Sequence, residues 1–215
     1  MSIYKNYTKI RSEIPEYVVI IPASKTRMHR EILELINAGC KDIGENYVLE
    51  AREKYIALGE YAKKLRWHLI GHLQGNKVKS ALEIFDVIQT VDSIRLAKSI
   101  NNFAKKPITI FVEVNIGCEK TKSGVSPGEV KDLIIEISQY DNLRIEGLMT
   151  IEPHTTDPQI YFKNMKILYD EIKKLKIPKV NMKTLSMGMS NSYNEAIPEG
   201  SNMVRIGTKI FGKRK

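Results

Sequence analysis

Cysteine is scarce in these 215 residues: there are two, Cys40 and Cys118. No Cys-x-x-Cys pair exists and no zinc-ligand spacing can be built, so neither a disulfide framework nor a zinc module is expected. Cys40 follows Ala38-Gly39 at an expected helix end and Cys118 falls in a polar loop; both are read as reduced thiols in a reducing compartment. Long apolar runs are missing too. None approaches the roughly 20 residues that span a bilayer. The opening MSIYKNYTKIRSEI is polar and mixed in charge, without the apolar stretch of a secretory signal. A soluble, cytoplasmic protein with no membrane partner is expected. Linkers and low-complexity segments are absent, and arginines do not interleave with aromatics in a stripe. The net charge of +9 is therefore read as a lysine-rich solvated surface, with lysines scattered through segments such as EIKKLK (171–176), and nucleic acid is not an expected partner.

What the chain does have is a repeated alternation. Hydrophobic residues make up 42% and charged residues 27%, enough for one sizeable core and close to ordinary globular usage. Short β-rich apolar runs are expected as strands at 17–23, 42–45, 67–70, 87–90, 108–115, 144–149, 184–187 and 203–206. Runs such as ITIFVEV suit strands buried on both faces. Between them lie helical signals. Ile32, Leu33, Leu35 and Ile36 share a face that stops at Gly39, and Asp92-Ser93 opens a helix through Leu96 and Ile100. Ser126-Pro127-Gly128-Glu129 reads as a capping box with proline at the first helical position, and Asp157-Pro158 opens a helix carrying Phe162, Met165, Leu168 and Ile172. Eight strand-helix units predict an α/β fold of one domain over 1–215, a (β/α)8 TIM barrel with tight loops. An open doubly wound sheet would want a glycine-rich phosphate loop, and Pro22-Ala23-Ser24-Lys25 is not one.

A barrel places its chemistry at the C-terminal ends of its strands. Those ends offer Lys25, then Glu45-Asn46-Tyr47, His68 with His72 beyond it, Asp92, Glu113 and Asn115, and Met149-Thr150. The last two strands end in Ser186-Met187-Gly188-Met189-Ser190 and Arg205-Ile206-Gly207-Thr208. These last two ends stand where barrels commonly bind phosphate, helped by a short helix expected at about 192–197. A strand-end lysine beside a phosphate cup points to a phosphate-bearing aldehyde held as a Schiff base, with pyridoxal 5′-phosphate the obvious cofactor. Arg205 would then stand near the pyridine nitrogen. His68 and His72 form a His-x-x-x-His pair, but strand pattern and Gly71 separate them and no third ligand is close in sequence. A role in the pocket wall is preferred to a metal.

At these residues the chain resembles the YggS/PROSC family of pyridoxal phosphate-binding, or pyridoxal phosphate homeostasis, proteins. RWHLIGHLQGNK (66–77) is the strongest match; ASKT, DIGENYVLEA, KSGVSP, GLMTI, LSMGMS and MVRIGTKIFG follow in the family's order. The resemblance implies a barrel like the N-terminal domain of alanine racemase. It implies Lys25 as the cofactor lysine, phosphate contacts at Ser186, Gly188, Ser190, Gly207 and Thr208, Arg205 near the ring nitrogen, and Asn46 and His68 in the pocket wall. Three departures stand out. The segment before Lys25 is short, so the helix before strand one is expected to be trimmed; Gly75 replaces a common serine; and Ser192 stands where an acidic residue is common. Racemisation needs a base on each face of the substrate carbon, and the 215 residues hold no second domain to supply one. A monomeric carrier of the cofactor, serving apo pyridoxal phosphate enzymes, is expected over an amino-acid racemase, which is the alternative.

Overall fold

The run Val18-Val19-Ile20-Ile21 has apolar side chains on both faces, so its strand needs a covering layer on each side. The computed structural model, which describes residues 2–155 and 157–213, provides both. Strands β1 (Val19–Pro22), β2 (Asp42–Glu45), β3 (Arg66–Leu69), β4 (Val87–Val91), β5 (Ile108–Val114), β6 (Leu143–Thr150), β7 (Val180–Met189) and β8 (Met203–Ile206) run parallel in the spatial order β1-β8-β7-β6-β5-β4-β3-β2. The two ends of that order meet where Ala23 pairs with Gly44, and the Ser24 amide donates to the Gly44 carbonyl at 2.9 Å. The sheet therefore closes into the expected eight-stranded barrel.

The helices are α1 (Ile3–Glu13), α2 (His29–Asn37), α3 (Val48–Leu58), α4 (Val78–Ala81), α5 (Ile94–Phe103), α6 (Val130–Ile137), α7 (Gln159–Lys174), α8 (Tyr193–Ala196) and α9 (Thr208–Phe211). Their apolar faces and the outward-facing strand residues, Ile20 and Ile43 among them, form one continuous core. A second, smaller cluster holds Ile21, Ile70, Val87, Phe111, Met149 and Met203 and fills the barrel itself. Alternation along β1 divides its residues between the two: Ile20 goes out, Ile21 goes in. The barrel is narrow. A Cβ on Gly44 would come within 2.7 Å of Ile21 and 2.8 Å of Ile70, so only glycine fits that inner position.

The segment before strand one does form a helix: α1 runs over 11 residues, buries Ile3, Tyr7 and Ile10, and is tied to the C-terminal segment by Asn6 Nδ2 donating to Ile210 O at 2.8 Å. Two sequence expectations need correction. At Ser126-Pro127 the chain first makes a 3₁₀ turn, Pro127–Glu129, and α6 begins after it. There the Ser126 hydroxyl donates to the Glu129 carboxylate and makes no cap to the helix backbone. Finally, β7 starts at Val180, four residues earlier than expected, because its first turnings, Asn181 and Lys183, face solvent and carry no apolar signal. The helix start at Ser93 is as read: its hydroxyl accepts from the Leu96 amide at 3.4 Å.

Candidate functional site

Beyond β1 the chain turns sharply through Ser24, Lys25 and Thr26, and Thr26 sits at φ 67°. Polar groups hold both flanks of Lys25. The Ser24 hydroxyl donates to the Glu45 carboxylate, and Lys54 Nζ donates to Ser24 O at 2.6 Å. Lys54 also bonds Glu45 Oε1 and Glu50 Oε1, each at 2.6 Å, and Glu50 Oε1 accepts from the Thr26 amide at 2.5 Å. Lys54 and Glu45 are buried. A buried ammonium with three acceptors thus locks the lysine turn onto β2 and α3. Burial is the main influence on the Glu45 carboxyl and raises its pKa; Lys54 opposes that shift.

Lys25 lines a cavity of about 650 Å³ over the C-terminal end of the barrel. Asn46, Ser190, Arg205, Gly207 and Thr208 line the same cavity. The loops after β7 and β8 are joined there, with the Gly207 amide donating to Ser190 Oγ at 3.1 Å. Asn46 Oδ1 is buried and has no hydrogen-bond partner, which marks an acceptor awaiting a donor in the cavity. Arg205 is buried on β8; its Nη1 donates to Ser186 Oγ at 2.7 Å and its Nη2 to Thr150 O at 2.6 Å. Burial works against its charge, and Glu152 and Glu113 support it.

Three residues expected at the site do not line this cavity. Ser186 is buried beneath the cavity, with its hydroxyl between Arg205 and Gln89. His68 is also buried inside the barrel, bonded to Asp42 and Gln89, and burial lowers its pKa. Gly188, at φ 91°, underlies α8: a Cβ there would stand 2.6 Å from the Ala196 Cβ. His72 is exposed and lines a separate groove with Asp92 and Arg95. Among the described residues no cluster of three histidine, cysteine or acidic side chains could hold a metal.

Sequence reasoning missed four contributors. Lys122 lines the cavity from the β5–α6 loop, paired with Glu119 at 2.6 Å. Glu152, just past β6, lines it too and accepts from the Ser192 hydroxyl. Ser192 also accepts from the Met189 amide at 3.0 Å, so its departure from an acidic residue has a local reason: a carboxylate at 192 would face Glu152. Gly75 is open, with nothing near a Cβ, and a serine would fit there without change. Lys54 and Gln89 complete the four; the signals for them were a Glu-x-x-x-Lys pair and a lone amide in VIQTV. A larger hollow of about 1070 Å³ is lined by Asp86 and Ile108, at the starts of β4 and β5. It lies at the wrong end of the barrel for strand-end chemistry.

A barrel of this closure with a lysine after β1 and an arginine on β8 has clear relatives. The model of the alanine racemase N-terminal domain family matches residues 1–215. The pyridoxal phosphate homeostasis protein of Pasteurella multocida is 37% identical over 100% of this chain and 98% of that one. Its namesake in Escherichia coli K12 is 36% identical over 93% and 87%. Among solved structures, PipY of Synechococcus elongatus PCC7942 with PLP bound superposes with a TM-score of 0.89 at 31% identity, over 98% of this chain and 100% of that one. Alanine racemase of Clostridium difficile 630 shares the fold at a TM-score of 0.84 and 17% identity, and this chain spans 57% of its length. The chain belongs to the alanine racemase N-terminal domain family, in the branch of the pyridoxal phosphate homeostasis proteins.

Proposed function

We propose that this chain binds pyridoxal 5′-phosphate in the cavity above β1, β7 and β8, holds it as a Schiff base on Lys25, and serves pyridoxal phosphate homeostasis as a carrier. The observation that carries this reading is the convergence on one cavity of Lys25, Arg205, two hydroxyls and the unpartnered Asn46 carbonyl. Each fits a part of the cofactor. Asn46 Oδ1 wants a donor, and the ring hydroxyl is one. Ser190 and Thr208, with the Gly207 backbone, would hold the phosphate. Arg205 offers only N–H donors, so it suits an unprotonated ring nitrogen. When bound, the cofactor supplies an aldehyde that condenses with an amine.

The chain's own part is to present that amine and hold the anion. The turn pinned by Lys54, Glu45 and Glu50 fixes the backbone on both sides of Lys25, so its side chain enters the cavity from a set point. The Ser190–Gly207 bond keeps the two phosphate-side loops together. The homeostasis half of the reading is supported by relatives of that name aligned over nearly their full length.

Borohydride reduction of protein loaded with pyridoxal phosphate, followed by mass mapping, tests the covalent assignment. Lys25 should carry the adduct and Lys25→Ala should lose it; an adduct chiefly on Lys122, the other lysine lining the cavity, would overturn it. Loaded protein should restore activity to an apo pyridoxal phosphate enzyme. Steady racemisation or consumption of single L-amino acids would instead favour the racemase reading.

A further inference from the structure

A row of buried polar side chains crosses the interior of the barrel from the cavity to its opposite rim. Arg205 Nη1 lies 2.7 Å from Ser186 Oγ, and Ser186 Oγ lies 2.8 Å from Gln89 Oε1. Gln89 Nε2 is 3.0 Å from His68 Nδ1, and His68 Nε2 is 2.9 Å from Asp42 Oδ1. Five residues from β8, β7, β4, β3 and β2 are linked in this way. Arg205, Ser186, Gln89 and His68 are all buried; the Asp42 side chain is 20% exposed at the start of β2.

The two ends fix the direction of every bond between them. Arginine can only donate, so Ser186 Oγ accepts from it and must send its single proton to Gln89 Oε1. The Gln89 amide then has its NH₂ toward His68, with Met203 Sδ a second contact at 3.3 Å. His68 Nδ1 therefore accepts, Nε2 carries the proton, and that proton goes to the Asp42 carboxylate. Turning the amide over would leave the Ser186 proton without its acceptor and face a bare His68 nitrogen to a carboxylate. Burial also lowers the His68 pKa, with Asp42 opposing, and so favours the neutral imidazole that this order of donors requires.

We infer that Gln89 is a positioning residue for Arg205: by accepting from Ser186 and donating to His68, it turns a serine lone pair toward the guanidinium and holds Arg205 in the orientation it presents to the cofactor ring. This rests on the reading that Arg205 faces that ring. An apolar residue would fill the space as well and avoid burying an amide, so the cost of Gln89 is matched only if its two bonds set something in place.

A double-mutant cycle on pyridoxal phosphate affinity tests this. Gln89→Met keeps the volume and removes both bonds. Alone it should weaken binding about two- to tenfold, the worth of a lost neutral hydrogen bond, and move the visible absorption maximum of the bound cofactor. In an Arg205→Met background the same change should weaken binding less than about twofold, because the group it acts through is gone. Equal losses in both backgrounds, or an unmoved spectrum with a lowered Tm alone, would make Gln89 a packing residue and overturn the inference. If Gln89→Met does not fold, ¹⁵N NMR of His68 in the wild type decides: an Nε2–H tautomer is expected, and an Nδ1–H tautomer reverses the chain of donors and overturns the inference. That measurement needs no cofactor. A wild type that failed to bind pyridoxal phosphate would sink the functional reading and leave the tautomer result to judge the relay on its own.

Discussion

Lys54→Met is the most informative single perturbation of the lysine turn. In the wild type, Lys54 places its three ammonium protons on Ser24 O, Glu45 Oε1 and Glu50 Oε1, all at 2.6 Å, with its side chain 7% exposed and that of Glu45 fully buried. Methionine keeps the stem and removes the charge. Glu45 is then a buried carboxylate without its cation, and it escapes by taking a proton. Its ordinary pKa is 4.5. Keeping it neutral at pH 7 costs about 1.36 × 2.5, or about 3.4 kcal/mol. The stranded Ser24 carbonyl adds roughly 1 kcal/mol or more. A total of about 3–5 kcal/mol at pH 7 matches what removing one partner of a buried pair costs elsewhere.

The pH dependence separates this cause from simple loss of packing. A carboxyl whose folded pKa lies above its unfolded value binds its proton more tightly when folded, so stability rises as pH falls toward 4.5. At pH 5 the neutralisation cost is only about 0.8 kcal/mol, so the gap between variant and wild type should narrow by up to about 2.5 kcal/mol. The wild-type Glu45 is shifted in the same direction, which makes that figure an upper bound. Urea unfolding at pH 7 and pH 5 measures both numbers. Lys54→Met combined with Glu45→Gln should return to within about 1–2 kcal/mol of wild type, since the fully buried carboxylate is gone and Glu50, the other partner of Lys54, is 24% exposed and keeps its bond from the Thr26 amide. A loss under about 1 kcal/mol at pH 7, or one that is the same at pH 5, would refute the reasoning.

Three further outcomes are expected. Glu113 is buried, with Oε2 unpartnered, and its pKa is pushed up to about 7 chiefly by burial, with Asp92 adding and Arg205 opposing. Its folded value exceeds the unfolded one, so it lowers stability as pH rises from about 4.5 to 7, and Glu113→Gln should be more stable than wild type at pH 8 by up to about 3 kcal/mol and near neutral at pH 4; thermal melts across that range check it. Gly188→Ala must accept φ 91° and a Cβ 2.6 Å from Ala196, at a cost of about 2–4 kcal/mol, read as a Tm lowered by several degrees. Ser190→Ala removes a cavity hydroxyl and the Gly207 link, and should weaken pyridoxal phosphate at least about tenfold while leaving pyridoxal nearly unaffected; titration of both aldehydes decides it.

The fold was legible because parallel barrel strands are apolar on both faces and helices between them are not. ITIFVEV, VIQTV and MVRI stand out for that reason; β4 and β6 run one or two residues beyond the expected bounds, and β7 was cut most, where solvent-facing Asn181 and Lys183 broke its apolar run. The strand-end rule also led to the cavity: Lys25, Asn46, Ser190, Arg205, Gly207 and Thr208 all line it. What it did not supply was depth. Ser186 precedes the end of β7 by three residues and His68 precedes the end of β3 by one, and in a narrow barrel that is enough to put a side chain below the cavity floor. The pleat gives the face of a residue and leaves its height to the register with its neighbours, which a single chain does not carry.

Buried polar groups were hidden for a different reason. Glu50 and Lys54 are four apart on α3 and read as an ordinary surface pair; what buries Lys54 is Glu45 and Ser24 arriving from β2 and the β1 turn. Gln89 shares the inward face with Val87, so its direction could be read from VIQTV, yet its partners come from β3 and β7. An isolated polar residue inside an apolar strand is costly unless it is satisfied. In a closed barrel the satisfaction comes from other inward-facing strand residues, here one on the neighbouring β3 and one from across the interior on β7, far away in sequence. The lone amide was a signal that the interior held a second polar group facing it. Following that signal from both sides of Gln89 leads to Arg205 in one direction and Asp42 in the other, so the polar interior of this barrel is organised around the same arginine that lines its cavity.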